Sequence, residues 1–521
     1  MKKNNLKINN QKKLYSLLII INSVTFTYYT GLRGVFPIDS FLIFNSGYNI
    51  INDFHPFKDY WSITGPFLDY LQYIIFSLFG INWASYIFHA ALINTLLALI
   101  SFHFFNQLGL KITYSALYSL SISILAYPSA GTPFIDHHAT ILSLISLIYL
   151  ILAIKKKNKL YWFLVPIFIG VSFFSKQIPI AYLSIYFAFI ILIFFYLNNS
   201  KNYNFLNYFF GGMIIFSFFI LCLIFFKDIP IKNIIDQYFY YPISIGSTRI
   251  KSIDFNFNNV FSQFKFIYFS ISPIFISLFY LLKKNFKSLD EKNDILILFL
   301  ALGSAIIFLY TQIITKNQIL IFFLIPFYLG VSNFFLNNYF KKRIVINFIL
   351  LLLIISTFKY HLRFNVERKF MELNYVNFDF AIDSSQLDYR LKGLKWISPD
   401  FDKPELELQL LKDIKNQIIQ DNIRKIIVSD YQILSTITDI KNLAPNKWFD
   451  ELSVPSKNNV FFDSYKNFFN ESLIKQKIKI VYVIGIEKLD YIIRILPNPN
   501  CIKKEEINKI SFKIDISNCY N

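Results

Sequence analysis

Charge is scarce in this sequence. Asp, Glu, Lys and Arg make up only 16% of its 521 residues, where a soluble chain carries about a quarter. Hydrophobic residues reach 55%, with 61 Phe and 34 Tyr, and mean hydropathy is +0.43. An ordinary soluble enzyme is excluded, because this much apolar surface needs lipid to cover it. The three cysteines offer no zinc-finger spacing, and no HxH or HxxxH pattern is present. Also absent are a Walker loop, a glycine-rich nucleotide motif, an internal repeat and a low-complexity segment. Acidic residues are outnumbered 33 to 52 by Lys and Arg, for a net charge of +19. The positive residues sit in short clusters between apolar runs and not on one basic face, which argues against nucleic acid as a partner and for a topological use.

What is there is a series of apolar runs. They begin near residues 14, 83, 112, 139, 160, 178, 205, 266, 295, 319 and 344, about 11 transmembrane helices, several of them near the lower limit of roughly 17 residues. The basic clusters are Lys2, Lys3, Lys7, Lys12 and Lys13; Lys111; Lys155, Lys156, Lys157 and Lys159; Lys201; Lys283, Lys284, Lys287 and Lys292; and Lys341, Lys342 and Arg343. With a cytoplasmic N-terminus every cluster falls inside, as the positive-inside rule requires. The first span then serves as an uncleaved start, since no small-residue cleavage motif follows it. This holds only if LDYLQYIIFSLFG, residues 68–80, lies in the interface instead of crossing, which its length suits. Residues 32–82 therefore read as one long external loop with a juxtamembrane helix.

The expected external segments before the tail hold Asp39, Asp53, Asp59, Asp69, Asp136, Asp228, Asp236 and Asp254, against Asp290, Glu291 and Asp294 inside. Acidic side chains do little to set topology, so the skew points to an external working face. From Tyr360 the long apolar runs stop. PELELQLLKDIKNQIIQ and SYKNFFNESLIKQ read as helices, and KIIVSD, KIKIVYVIGI and KISFKIDI as strands. The expected division is a transmembrane domain over 1–360 and a soluble external α/β domain over 361–521. In an oxidising compartment Cys501 and Cys519 can bridge, worth roughly 3 kcal/mol in the chain-entropy model; two free thiols are the alternative.

Several polar residues in these external segments can carry chemistry. Asp39, in GLRGVFPIDSF, follows the first span closely; desolvation there raises a carboxyl's pKa, Arg33 can compensate, and a poised carboxylate can take a proton from a hydroxyl. The plainer reading is a cap for the helix SFLIFNSGYNII. Asp136, His137 and His138 sit together in AYPSAGTPFIDHHATILSL. With His55 they supply metal-ligand types, so a divalent metal is one reading, although adjacent side chains do not easily aim at one ion; an interfacial helix cap with solvated histidines is the other, and His137 and His138 also stand as candidate substrate contacts. Lys176 in FFSKQIPIAY and Lys316 in IITKNQILIFF occupy short external turns. Each can snorkel to lipid phosphate or, like Arg33, Lys58 and Arg249, bind the phosphate of a lipid-linked substrate.

Asp39 early in a first external loop, then NIINDFHPFKDYWSITGPFLDYLQYIIFSLFG, then Asp136 in a second loop and FFSKQ together resemble the GT-C superfamily of integral-membrane glycosyltransferases. Protein O-mannosyltransferases and aminoarabinose transferases of lipid A belong to it. The resemblance covers about residues 14–360. It implies Asp39 as the catalytic acid/base, Asp136 as a second acidic site residue, Lys58 and Asp59 as an rD-like pair, and Lys176 as the lysine before the sixth span. The Arg expected around Trp83 to Ala90 is missing, and TKNQ replaces the usual Gly-Arg/His region. The implied reaction moves a hexosyl or pentosyl group, with inversion, from a polyprenyl-phosphate sugar to a hydroxyl of an envelope acceptor. The implied location is the external face of a bacterial inner membrane, with the C-terminal domain periplasmic. The rival classes are a lipid-linked sugar transporter or flippase, whose ionisable groups belong mid-span in paired repeats, and a non-catalytic polysaccharide assembly factor that uses its tail to bind.

Overall fold

The computed structural model describes residues 2–198, 204–251, 256–284, 288–315, 321–341, 343–497 and 501–520, with side chains from residue 9 onward and without those of 247–251. The chain divides into two compact units, one of residues 1–31, 90–221 and 252–370, the other of 32–89, 222–251 and 371–521.

The first unit is helical. Every apolar run expected to cross becomes a helix, and among the described residues seven helices are long and apolar enough to span a bilayer by length and composition. Those at Ile112–Leu125, Lys159–Phe173 and Leu324–Tyr339 have 14, 15 and 16 residues. Asn204–Phe226 is buried over only 6% of its most apolar stretch; side chains such as Phe218 and Phe225 have no water-compatible face to turn and require lipid. By contrast Ile135–Lys156 is 94% buried and forms the unit's inner helix. The chain is a polytopic helical membrane protein with a soluble, sheet-bearing part.

One hairpin positions the site of this unit. Ile135–Lys156 ends on Lys157 in the left-handed conformation (φ 49°), and Asn158 caps the return helix Lys159–Phe173 by accepting from the Leu160 N–H. Polar pairs tie the inner helix laterally: Ser143 Oγ to Ser172 Oγ at 2.9 Å, and Lys155 to Asp294, which also accepts from Tyr339. With apolar lipid outside, such pairs and close packing hold helices together.

In the second unit the first loop and the tail fold as one body. Residues 32–35 pair with 395–397 through Gly34 N–H to Lys395 O, Val35 N–H to Ile397 O and Lys395 N–H to Leu32 O, each 2.9 Å. Gly34 holds φ +75°, and a Cβ there would sit 2.3 Å from Leu373 Cδ1, so only glycine fits this approach. Trp61 is bracketed likewise, donating to Pro445 O and accepting from Lys447 N–H. The 13-residue helix Phe67–Phe79 ends at Gly80 (φ +82°). It buries Leu68, Asp69, Gln72, Ile75 and Phe76 and exposes Tyr73, Ile74, Leu78 and Phe79, the two-sided apolar character of an interfacial helix.

Two short strands, β1 (Ile382–Asp383) and β2 (Lys395–Trp396), pair antiparallel. A four-stranded sheet follows, made of β3 (Lys425–Ser429), β4 (Ile480–Ile484), β5 (Lys503–Asn508) and β6 (Ser511–Asp515) in the order β3-β4-β6-β5. β3 and β4 are parallel, and the other two pairings antiparallel. Ile426, Val428, Val481, Val483, Phe512 and Ile514 form the core with Phe469, Leu473 and Ile492. The helix Pro404–Gln420 starts on proline and buries Leu408, Leu411, Ile414 and Ile418, a 3.6-residue stripe. A disulfide joins Cys501 to Cys519 at 5.1 Å between Cα atoms and closes the β5–β6 hairpin.

Candidate functional site

In the first unit the site is built on the open end of the hairpin. Asp136 lies in the first turn of Ile135–Lys156, where the helix dipole favours an anion. Lys176, just past the end of Lys159–Phe173, returns to it: Nζ donates to Asp136 Oδ1 at 2.6 Å, with side-chain exposures of 18% for Lys176 and 11% for Asp136. A charge-assisted bond in so little water is strong, yet Lys176 retains donors for a second anion.

The residues after Asp136 turn inward. His137 and His138 are both fully buried. His137 is boxed by the rings of Tyr127, Phe134 and Phe370, and among the described residues neither of its ring nitrogens meets a hydrogen-bond partner. His138 Nδ1 lies 2.5 Å from Tyr127 Oη, which also accepts from the Phe134 N–H at 2.6 Å. Arg368, which the sequence reading passed over, fixes the preceding turn. Its buried guanidinium donates to the carbonyls of Pro128, Ser129 and Ala130 at 3.1, 3.0 and 2.9 Å. Gly131 holds φ +75° there, and a Cβ would lie 2.6 Å from the Gly31 nitrogen. The loop that delivers Asp136 is thus over-determined.

In the second unit Asp39 sits on the four-residue helix Pro37–Ser40. The N-cap residue of the helix Leu42–Ile51 is Phe41, which makes no side-chain cap bond. Arg33 lies with its guanidinium carbon 4.6 Å from the centre of the Phe378 ring. Lys58 Nζ donates to Lys227 O at 2.9 Å, and Asp59 Oδ2 accepts from the His55 N–H at 2.9 Å. His55 itself bridges two groups, with Nε2 at 2.9 Å from Asp53 Oδ1 and Nδ1 at 3.1 Å from Tyr70 Oη. Burial lowers the His55 pKa against the pull of Asp53, and the hydrogen bonds from His55 and Lys227 lower that of Asp53.

Beneath this lies a pairing that spacing could not reveal. Asp69 is fully buried, and Lys447, 378 residues on, donates to both its oxygens at 2.8 Å while Tyr60 Oη adds a contact at 3.3 Å. Burial holds the Asp69 carboxyl above its ordinary value although Lys447 pulls the other way. Nothing in APNKWFD marks Lys447 as the partner.

Arg249 lies on the helix Tyr241–Lys251, its side chain outside the described part, and Lys316 lies outside the described residues. Among the described residues no three His, Cys, Asp or Glu side chains gather as a metal set. No protein-family model matches the chain, and no curated protein matches it. Among solved structures, the chain is similar to the archaeal oligosaccharyltransferase AglB from Archaeoglobus fulgidus, in complex with an inhibitory peptide and a dolichol-phosphate, at 13% identity and a TM-score of 0.46, over 91% of this chain and 70% of that one. A likeness this distant decides nothing about chemistry.

Proposed function

We propose that the protein is a GT-C-type membrane glycosyltransferase. It moves a sugar from a polyprenyl-phosphate donor to an acceptor hydroxyl of the cell envelope, at the external face of a bacterial inner membrane. The observation that carries this reading is the Asp136–Lys176 pair, little exposed and set at the end of a membrane hairpin opposite its basic turn. A lysine in that position suits a phosphate whose lipid tail stays in the bilayer.

In this reading Asp39 is the base. The acceptor oxygen attacks C1 of the sugar, the C1–O bond to phosphate breaks on the opposite face with its electron pair leaving on the phosphate, and the acceptor proton passes to Asp39, giving inversion. Lys176 stabilises the charge gathering on the phosphate, with Asp136 positioning it. Arg33, Lys58, Asp59, Arg249 and Lys316 are proposed substrate contacts; His137 and His138, buried beneath Asp136, support that end of the hairpin. Residues 361–521 are proposed to be external.

The test is lipid-linked glycan profiling of a deletion strain complemented with wild type or Asp39→Asn. The expected outcome is that the polyprenyl-phosphate sugar accumulates in the deletion strain and with Asp39→Asn, and is consumed with wild type. Removal of a general base costs about 100-fold to 10,000-fold in rate. Consumption of the donor with Asp39→Asn, at wild-type protein level, would remove Asp39 from the role. A deletion strain with an unchanged profile would remove the function.

A further inference from the structure

The second unit holds a polar cleft around Lys58 and Asp59, named above as proposed substrate contacts without a statement of what they bind. It measures about 230 Å³ and is lined by the middle of the first loop and by the helix Phe462–Lys475, with Lys58, Asp59, Glu471 and Lys475 among its walls. Two carboxylates and two ammonium groups leave it balanced in charge, which disfavours a phosphate or another strong anion.

Asp59, Asn233 and Gln476 in its wall are held before any ligand arrives. Asp59 Oδ2 is held by the His55 N–H at 2.9 Å, and Oδ1 stands 3.8 Å from Lys475 Nζ. The Asn233 amide donates to Phe57 O at 2.8 Å. Gln476 accepts from Leu443 N–H at 2.7 Å and donates to Leu443 O at 2.9 Å. Phe468, also in the wall, is set edge-on against Trp61 at 5.9 Å. Oriented carboxylate and amide planes beside a fixed aromatic ring match a neutral polyhydroxylated ring, which offers hydroxyls to the first and C–H faces to the second. Fixing these groups in advance removes ordering cost from binding, and a cleft this small takes one or two rings, not a long chain.

We propose that this cleft is a saccharide-binding subsite, and, resting on the transferase reading, that it holds the acceptor's sugar. The experiment uses the full-length protein in detergent and saturation-transfer NMR, with three probes: methyl α-D-mannoside, methyl β-D-glucoside and methyl N-acetyl-β-D-glucosaminide. Wild type is expected to transfer saturation to at least one of them. Asp59→Asn and Lys475→Met should each weaken that binding about tenfold, as expected for one charge-assisted hydrogen bond. Lys475 is exposed, so its variant keeps the test valid if Asp59→Asn fails to fold. No transfer from wild type to any probe, or transfer unchanged in both variants, overturns the subsite. No donor lipid is present in the measurement. A failure of binding therefore leaves the transferase reading standing, and an enzyme without transfer activity that still binds the glycoside leaves the subsite standing.

Discussion

The Asp136–Lys176 bond at 2.6 Å admits two accounts, and stability and activity separate them. If the lysine serves only to neutralise Asp136, then Lys176→Met takes a charge-assisted bond from a poorly hydrated carboxylate and destabilises the protein by about 1.5–3 kcal/mol. Adding Asp136→Asn removes the charge that the lysine balanced, so the double variant should recover both melting temperature and activity. If Lys176 also meets the donor phosphate, the double variant should recover stability while transfer stays reduced about 100-fold, close to the loss of one preorganised electrostatic contact. A double-mutant cycle with both readouts measures this. Recovery of transfer alongside stability would make Lys176 a purely structural counter-ion. Asp69 poses the same question without the catalytic half: its partner Lys447 is itself buried, and Lys447→Met should cost about 3–5 kcal/mol by leaving Asp69 unpaired. A melting temperature within a degree of wild type would show that water or Tyr60 suffices.

Among the elements, Asp421 shows how the tail is fastened. It follows the helix Pro404–Gln420 and accepts from Tyr482 on β4 at 2.8 Å and from the Ile423 N–H at 3.0 Å, with Lys513 on β6 at 2.9 Å. Burial alone would raise its pKa, but Lys513, the Ile423 N–H and Tyr482 together hold it below the ordinary carboxylate value. A lowered pKa contributes stability that is present above the unfolded value of about 3.9 and is lost as pH falls through the folded one. Asp421→Asn should therefore melt below wild type at pH 7, and the gap should close as pH drops below about 4. A gap constant with pH would assign the effect to shape instead of charge. Legibility differed sharply among such elements. The apolar runs announced their helices because lipid demands unbroken hydrophobic length, while the short apolar run in KIIVSD and the alternation in KISFKIDI announced β3 and β6. β5, reading KKEEIN, is an exposed edge whose strand state comes from pairing with β6 inside the disulfide loop, so no apolar period marks it. In the site, Asp136 and Lys176 each stood out as charges beside apolar runs. Their bond was hidden by a sequence separation of 40, and Arg368 by a role that is wholly a matter of carbonyls brought close in space.

For the whole molecule, the inner helix supplies a ruler. Ile135–Lys156 has 22 residues, about 33 Å at 1.5 Å per residue, enough to cross a hydrocarbon core. Asp136 stands at one end and Lys155 and Lys156 at the other, so the acidic and basic groups of this helix belong to opposite sides of the bilayer. If the positive-inside rule holds and the lysines are cytoplasmic, the odd number of crossings expected after Lys156 would put the chain beyond Tyr360 on the external side, whatever the placement of Phe67–Phe79. The prediction is that, in a Cys222→Ser background, a membrane-impermeant maleimide added to intact cells modifies Lys457→Cys but not Lys156→Cys, and modifies both after lysis. Both positions are exposed in the fold, so protection before lysis reports sidedness and not burial. Labelling of Lys156→Cys alone in intact cells would invert the whole arrangement and leave Asp136 and Lys176 facing the cytoplasm. Labelling of both would mean that the number of crossings between them is even, and the first candidate for error is then a helix shorter than the roughly 17-residue limit, such as Lys159–Phe173 or Leu324–Tyr339.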